Sequence, residues 1–415
     1  MTRARMRQLT PISLIITFAL TLRLWRLNLP KGYIFDEIYY AKNANSLINN
    51  GVELNSQGQA EFIVHPPLGK WFIGIGIKLF GNNEFGWRIS AAVIGTVCVL
   101  LIYLITNQLF NSLFLSNVAA ALMALDGLAL VMSRVALLDI FLVFFILLSF
   151  YFLLKEYFWL SGIAIGSAAA TKWSAVFVIP FLILLTINIR VIDPTKWMKR
   201  IGQFVFVPIF VYLISWSGWI FNSNGWDRKS GSNIFTSLWN YHVGIFNFHR
   251  NLTESHSYSA NPWSWLIIGR PTSFFYETPS NCGAGSCSQE ILAIGTPLLW
   301  WAGVFAIAIT LGFFITNRNH ISAVILAGIA GTYLPWFLIQ SRTTFYFYAI
   351  SILPFLILAL IYSFNWVLSY GNYQKQIILF VLLIGLNFIY FLPILLGIEI
   401  PYSQWIDRMW LNSWI

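Results

Sequence analysis

The chain has 415 residues, 58% of them hydrophobic and only 10% charged, with 25 basic and 15 acidic side chains and a net charge of +10. Soluble proteins carry about 25% charged residues. So few charges cannot cover a water-facing surface, which excludes a soluble enzyme, a nucleic-acid-binding domain and a disordered chain. A mean hydropathy of +0.70 and a content of 19 Trp, 18 Tyr and 36 Phe fit an all-α polytopic membrane protein whose aromatic rings settle at the bilayer interfaces.

A helix needs ~20 mostly apolar residues to cross the hydrocarbon core. Eleven stretches qualify: 9–28, 90–109, 113–132, 138–155, 157–171, 173–190, 202–221, 293–315, 321–339, 345–364 and 376–397. The first lacks a small-residue cleavage site and runs into Arg23-Leu24-Trp25-Arg26, so it is read as an uncleaved span rather than a signal peptide. Two long loops interrupt the series, at 29–88 and 222–292, and no repeat or separate soluble domain is visible. With the N-terminus in the cytoplasm, Arg3, Arg5, Arg7, Lys155, Arg190, Lys196, Lys199, Arg200, Arg318 and Lys375 fall inside. Only Glu156 and Asp193 join them there, which obeys the positive-inside rule. Both long loops and the C-terminus then face the extracytoplasmic side of the cell (plasma or inner) membrane.

In the first loop, Phe35-Asp36-Glu37-Ile38-Tyr39-Tyr40-Ala41-Lys42 opens a helical pattern that Gly51 stops. Two consecutive acids at a helix start serve as an N-terminal cap, or one faces a substrate while the other anchors the loop, since neighbouring helical positions diverge by ~100°. Next, His65-Pro66-Pro67-Leu68-Gly69-Lys70-Trp71 predicts a proline-initiated helix over 67–80. Its N-terminus, with His65 and Lys70, suits a phosphate; a snorkelling Lys70 on an interfacial helix is the plainer alternative. Gly69, Gly74 and Gly76 admit close neighbours.

Four more ionisable residues stand at or within spans, where they are costly and are usually paired or functional. Arg88 opens the second span without an evident local partner and is the better candidate for a ligand anion. Asp126, Arg134 and Asp139 lie close together, and an ion pair of Arg134 with Asp126 or Asp139 is favoured over direct contact with substrate.

The second loop places His242, His249 and His256 seven residues apart. One continuous helix would align them and admit a metal, but the spacing exceeds that of compact zinc motifs, and Thr253-Glu254-Ser255 favours a helix end. No metal ligand set is assigned. Cys282 and Cys287 either close a small disulfide ring or stay as free thiols, and Cys98 reads as a buried hydrophobe. No Gly-rich nucleotide loop appears, against a nucleotide-driven pump or a sugar-nucleotide enzyme.

Phe35–Lys42, His65–Trp71, Gly86-Trp87-Arg88, Ala124–Gly127, Ser133–Phe141, Thr171–Ser174, His256–Ser259, Pro262–Trp265 and Thr344–Tyr348 together resemble the ordered motifs of protein O-mannosyltransferases, particularly the short bacterial forms. The likeness runs from residue 35 to 348. It implies the GT-C glycosyltransferase fold, polyprenyl-phosphate mannose as donor, and Ser or Thr of exported proteins as acceptor. Eukaryotic relatives insert a large domain where this second loop has only about 70 residues. The lipid A aminoarabinose transferases share the acidic motif but typically have Lys at the position of His65.

The resemblance assigns the general base to Asp36 and the organisation of the loop to Glu37. A hydroxyl is a poor nucleophile and needs a carboxylate to take its proton. The departing phosphate needs cationic stabilisation rather than an acid, and Arg88, Lys70 and His65 are the candidates. One displacement inverts the β-linked donor to an α-mannoside, so one acidic motif suffices. Arg134, Asp126, Asp139 and His256 remain as substrate or structural contacts. No cofactor is required by the sequence, and dependence on a divalent metal stays open. A transferase for another lipid-linked sugar or another acceptor is the alternative. A transporter, which would show repeated halves and interrupted helices at mid-membrane, is disfavoured.

Overall fold

The computed structural model describes residues 3–187, 193–280 and 282–415, with side chains from Thr10 onward. The side chains of Arg3, Arg5 and Arg7, and the whole of Arg190, therefore lie outside the described residues. In chain order the first half comprises α1 (Arg3–Leu24), α2 (Glu37–Asn50), α3 (Leu68–Phe80), α4 (Glu84–Phe110), α5 (Leu113–Ala124), α6 (Gly127–Met132), α7 (Asp139–Leu154) and α8 (Phe158–Ala169). A 3-10 turn over Trp173–Val178 leads into α9 (Ile179–Thr186). Then α10 (Pro194–Ile201) passes through a π-turn into α11 (Val207–Ser215). After α12 (Ser217–Phe221), the second long loop contains α13 (Ile234–Asn251) and α14 (Pro262–Trp265). The chain ends with α15 (Pro297–Asn317), α16 (His320–Tyr333), α17 (Leu353–Leu368), α18 (Gln374–Leu396) and α19 (Tyr402–Ile406).

Among the described residues, five helical segments are long and apolar enough to cross a membrane, and six shorter apolar helices accompany them. Two of the apolar stretches are broken in informative places. The stretch predicted as one span over 113–132 splits at Leu125-Asp126 because the Asp126 side chain caps α6, accepting from Ala129 N at 2.9 Å. Between α8 and the turn before α9, Lys172 takes an extended backbone (φ −149°, ψ 136°), which aims its side chain across to the first turn of α7.

Within the first loop, α2 ends where Gly51 adopts a left-handed φ of 75° and returns its N–H to Leu47 O. Further on, α3 lies so close to α4 that a Cβ on Gly76 would stand 2.4 Å from the Gly86 carbonyl oxygen. The second loop adds a small antiparallel sheet to the helical reading. Strands β1 (Thr272–Glu277), β2 (Cys287–Ala293) and β3 (Ile400–Pro401) pair in the order β1-β2-β3. Cys282, in the loop that connects β1 to β2, and Cys287, at the start of β2, are joined as a disulfide. The sequence hides β2 because almost all its residues are buried, leaving no alternation, and its partner β3 comes from the far end of the chain.

The two long loops meet over one end of the bundle. Ile63 N donates to the Tyr241 hydroxyl (3.0 Å), Asn222 Nδ2 to Asn50 O (2.7 Å) and His249 Nε2 to Val64 O (2.8 Å). Helices α7 and α15 start at this end and finish beside Lys155 and Arg318 at the other.

Candidate active site

The two adjacent carboxylates of the first loop have separate environments. Phe35 holds a left-handed backbone (φ 47°) and stacks on Phe274 at 4.4 Å; for a non-glycine residue that backbone costs about 1–2 kcal/mol. Asp36 follows with helical dihedrals and makes no capping hydrogen bond to α2, so the capping alternative does not hold for it. Its carboxylate is partly buried and has no hydrogen-bond or ion-pair partner among the described residues. Burial raises its pKa to about 6, with Lys172 opposing the shift and Asp139 adding to it.

Glu37 is fully buried and fully used. Its two oxygens accept from Arg88 Nε and Nη2, both at 2.7 Å, and also from Ile34 N (3.1 Å) and Ala136 N (2.9 Å). Arg88 spends its remaining N–H groups on the carbonyls of Leu27, Pro30 and Gly32. A guanidinium has five donors, and none is left for a substrate phosphate. The reading of Arg88 as a partnerless anion ligand is therefore corrected: its partner, Glu37, lies 51 residues away in sequence.

Lys70 is corrected in the same way. It is 1% exposed, and its ammonium is held by Glu53 at 2.5 Å. The start of α3 is occupied too, since Leu68 N donates to Ala170 O. The expected Arg134 ion pair is absent among the described residues. Arg134 instead donates to the carbonyls of Leu22, Arg23, Trp25 and Arg26, closing the C-terminal turn of α1. Asp126, beyond capping α6, accepts from Thr296 N (3.0 Å) and Trp300 Nε1 (2.8 Å) and ties α15 to the break. Asp139 pairs with Lys172 through both oxygens, at 2.8 and 3.0 Å. His256 lies beyond the end of α13 on an exposed turn, its Nδ1 accepting from Tyr258 N.

Only His65, of the three phosphate candidates, lines an open cavity of about 420 Å³. Lys172, His249, Arg342 and Tyr348 line it with His65. Lys172 also lies 4.6 Å from the centre of the Tyr348 ring. His249 Nε2–H donates to Val64 O, so its Nδ1 accepts from Arg342 Nη2 at 3.2 Å. Burial, and then the charge of Arg342, lowers the His249 pKa to about 4. Burial also holds His65 well below the usual imidazole range. The cavity thus presents Lys172, Arg342 and the exposed Arg250 as cations among neutral imidazoles. His65 Nδ1 and Arg342 Nε are buried there without a protein partner among the described residues. Among those residues, no group of three or more His, Cys, Asp or Glu is arranged to hold a metal ion.

Trp173 and Phe177 border both this cavity and a second space of about 630 Å³ between α9 and α11, where Tyr212 and His242 are the only other residues with polar side-chain atoms. A cationic chamber adjoining an apolar groove suits an amphiphile with an anionic head. Sequence reasoning gave no role to Lys172, Arg342 or Tyr348. The available signal for Lys172 was a lone cation between two apolar helices; Arg342 offers none, because its partner His249 lies 93 residues away.

A helical bundle with this loop-capped site defines the GT-C class of membrane glycosyltransferase. Residues 13–223 match the family model for dolichyl-phosphate-mannose-protein mannosyltransferase, and residues 234–414 match that for the C-terminal four-transmembrane region of protein O-mannosyltransferase. A Mycobacterium tuberculosis polyprenol-phosphate-mannose–protein mannosyltransferase is 30% identical over 97% of this chain and 90% of its own length. The fold matches that of the S. cerevisiae protein O-mannosyltransferase Pmt1-Pmt2 complex bound to the sugar donor, with a TM-score of 0.83 at 15% identity over 99% of this chain and 93% of that one. It also matches ArnT from Cupriavidus metallidurans bound to undecaprenyl phosphate, with a TM-score of 0.58 at 16% identity over 97% and 72% of the two chains. The chain belongs to the protein O-mannosyltransferase family; it is a multi-pass membrane glycosyltransferase.

Proposed function

We propose that this protein transfers mannose from polyprenyl-phosphate mannose to Ser and Thr hydroxyls of exported proteins at the extracytoplasmic face of the cell membrane. The observation that carries the reading is the Asp36 carboxylate, unpartnered among the described residues, in the field of Lys172, which lines a cationic cavity that adjoins an apolar groove. In this reading the donor phosphate lies on Lys172 and Arg342, with His65 Nδ1 as a further contact, and the polyprenyl chain follows the groove. The acceptor oxygen attacks the anomeric carbon, its proton passes to Asp36, and the bond from that carbon to the phosphate oxygen breaks. The polyprenyl phosphate leaves with its added charge held by the two cations. Configuration inverts, giving an α-mannoside from a β-linked donor. Protein cations carry all the charge stabilisation in this scheme.

The distribution of basic residues supports the orientation. Lys155, Lys196, Lys199, Arg200, Arg318 and Lys375 gather at the bundle end away from the cavity, which the positive-inside rule puts in the cytoplasm. The test is transfer of labelled mannose from polyprenyl-phosphate mannose to a Ser/Thr-rich peptide by purified protein in lipid. Wild type labels the peptide, and Asp36→Asn loses ~100-fold or more while donor binding persists. Labelled lipid or glycan in place of peptide would overturn the acceptor, and no transfer from folded protein would overturn the whole reading.

A further inference from the structure

Three half-buried side chains from three different elements form a single hydrogen-bonded chain at the junction of cavity and groove. Trp173 Nε1–H donates to the Tyr212 hydroxyl at 2.9 Å, and that hydroxyl lies 2.8 Å from His242 Nε2. His242 Nδ1 lies 2.7 Å from Leu238 O, an acceptor only, so Nδ1 carries the imidazole proton and Nε2 is left to accept. Burial keeps His242 below the usual imidazole range, which preserves that acceptor at neutral pH. Each proton therefore has one direction, from indole to phenol to imidazole to carbonyl. Trp173 and His242 are also stacked, 6.1 Å apart with their planes inclined by 18°.

The N–H and O–H protons of all three groups are spent inside the chain, so none is left to donate to a substrate and the chain acts through Trp173. Its three members come from the turn before α9, from α11 and from α13, so the two walls of the groove are bonded to the helix that carries His249 into the cavity. An indole N–H in so apolar a space needs an acceptor, because leaving it unpaired costs about 1–3 kcal/mol. Tyr212 supplies one and fixes the ring at the mouth of the groove.

We propose that Tyr212 and His242 are positioning residues for Trp173, whose fixed indole is the sill on which a long polyprenyl chain bends from the groove into the cavity, making the enzyme selective for donor chain length. The proposal rests on the donor reading above. A chain too short to fill the groove gains nothing from the sill, whereas a long chain is held at the depth that brings its phosphate to Lys172 and Arg342.

The test compares a long-chain polyprenyl-phosphate mannose with a short, two-isoprene analogue in the peptide assay, for wild type, Tyr212→Phe, His242→Leu and His242→Gln. Thermal stabilisation by long-chain polyprenyl phosphate alone is measured beside it. Tyr212→Phe and His242→Leu are expected to raise KM for the long donor about five- to tenfold with kcat within about twofold. KM for the short donor stays unchanged, stabilisation by the long lipid shrinks, and His242→Gln, which keeps an acceptor, restores most of both. Equal losses for both donors, a loss confined to kcat, or no change in any variant would overturn the proposal while the transferase reading stands. Wild type that neither transfers mannose nor gains stability from the lipid would overturn both.

Discussion

Two charge systems lie side by side in the capping loops, and they are built on opposite principles. Around Glu37 and Arg88 every polar atom has a protein partner, both side chains are fully buried, and three segments of chain are tied together. Around Asp36, His65, Lys172 and Arg342, the Asp36 carboxylate, His65 Nδ1 and Arg342 Nε are unpartnered among the described residues, and the other three residues line a cavity. The first arrangement is a scaffold: a buried pair gains its stability only when complete. The second is a site, because atoms left without a protein partner stay available to a substrate.

The strongest challenge to this contrast is Arg88→Ala. Stranding Glu37 should remove about 3–5 kcal/mol of stability, seen as a large drop in thermal midpoint in detergent. Joint replacement, Glu37→Leu with Arg88→Met, should recover much of it. An Arg88→Ala protein of normal midpoint, altered only in KM for the donor, would make Arg88 a ligand and erase the distinction.

Arg342→Gln probes the other side. It should lower kcat/KM for mannose transfer about 10²-fold, the usual effect of removing one donor from a stabilised oxyanion, and shift the midpoint little. A folding defect without a specific kinetic loss would place Arg342 with the scaffold.

Asp36 connects stability to pH. Its folded pKa of about 6 lies above the 3.8 of a free aspartate side chain, so the folded protein binds the proton more tightly than the unfolded chain. Ionisation of Asp36 therefore destabilises the fold as pH rises through about 6. At pH 7 Asp36→Asn should raise the midpoint slightly while abolishing transfer, and that gain should vanish as the pH falls from about 6 towards 3.8. Wild-type kcat/KM should climb tenfold per unit below about 6 and level off above it. A rate independent of pH across that window would remove Asp36 as the base. The smallest effect is expected of His256→Ala, whose exposed ring takes a hydrogen bond from Tyr258 N in its own turn and packs edge-on against Phe345; transfer should stay within about twofold, and a large loss would extend the site beyond the cavity.

Much of this was legible in the residue string. Runs of apolar residues identify the helices because the bilayer rewards nothing else of that length. Gly51 marks the end of α2, and the Asp36-Glu37 pair marks the loop that matters. Asp126 was visible as an ionisable residue at depth, yet its effect, breaking one predicted span into α5 and α6, depends on donors from α15. What the sequence determined by itself was therefore local and periodic: a polytopic helical protein, its capped and terminated elements, and a family likeness in ordered motifs. Which charges are free was decided only by tertiary structure. Arg88 and Lys70 look available in sequence, but Glu37 and Glu53 reach them in the fold. Lys172, His249 and Arg342 look unrelated, and packing of the two loops and the helix break brings them to one cavity. The physical reason is that a charge in a low-dielectric interior is defined by its neighbours within a few ångströms, and those neighbours come from chain segments tens to hundreds of residues apart.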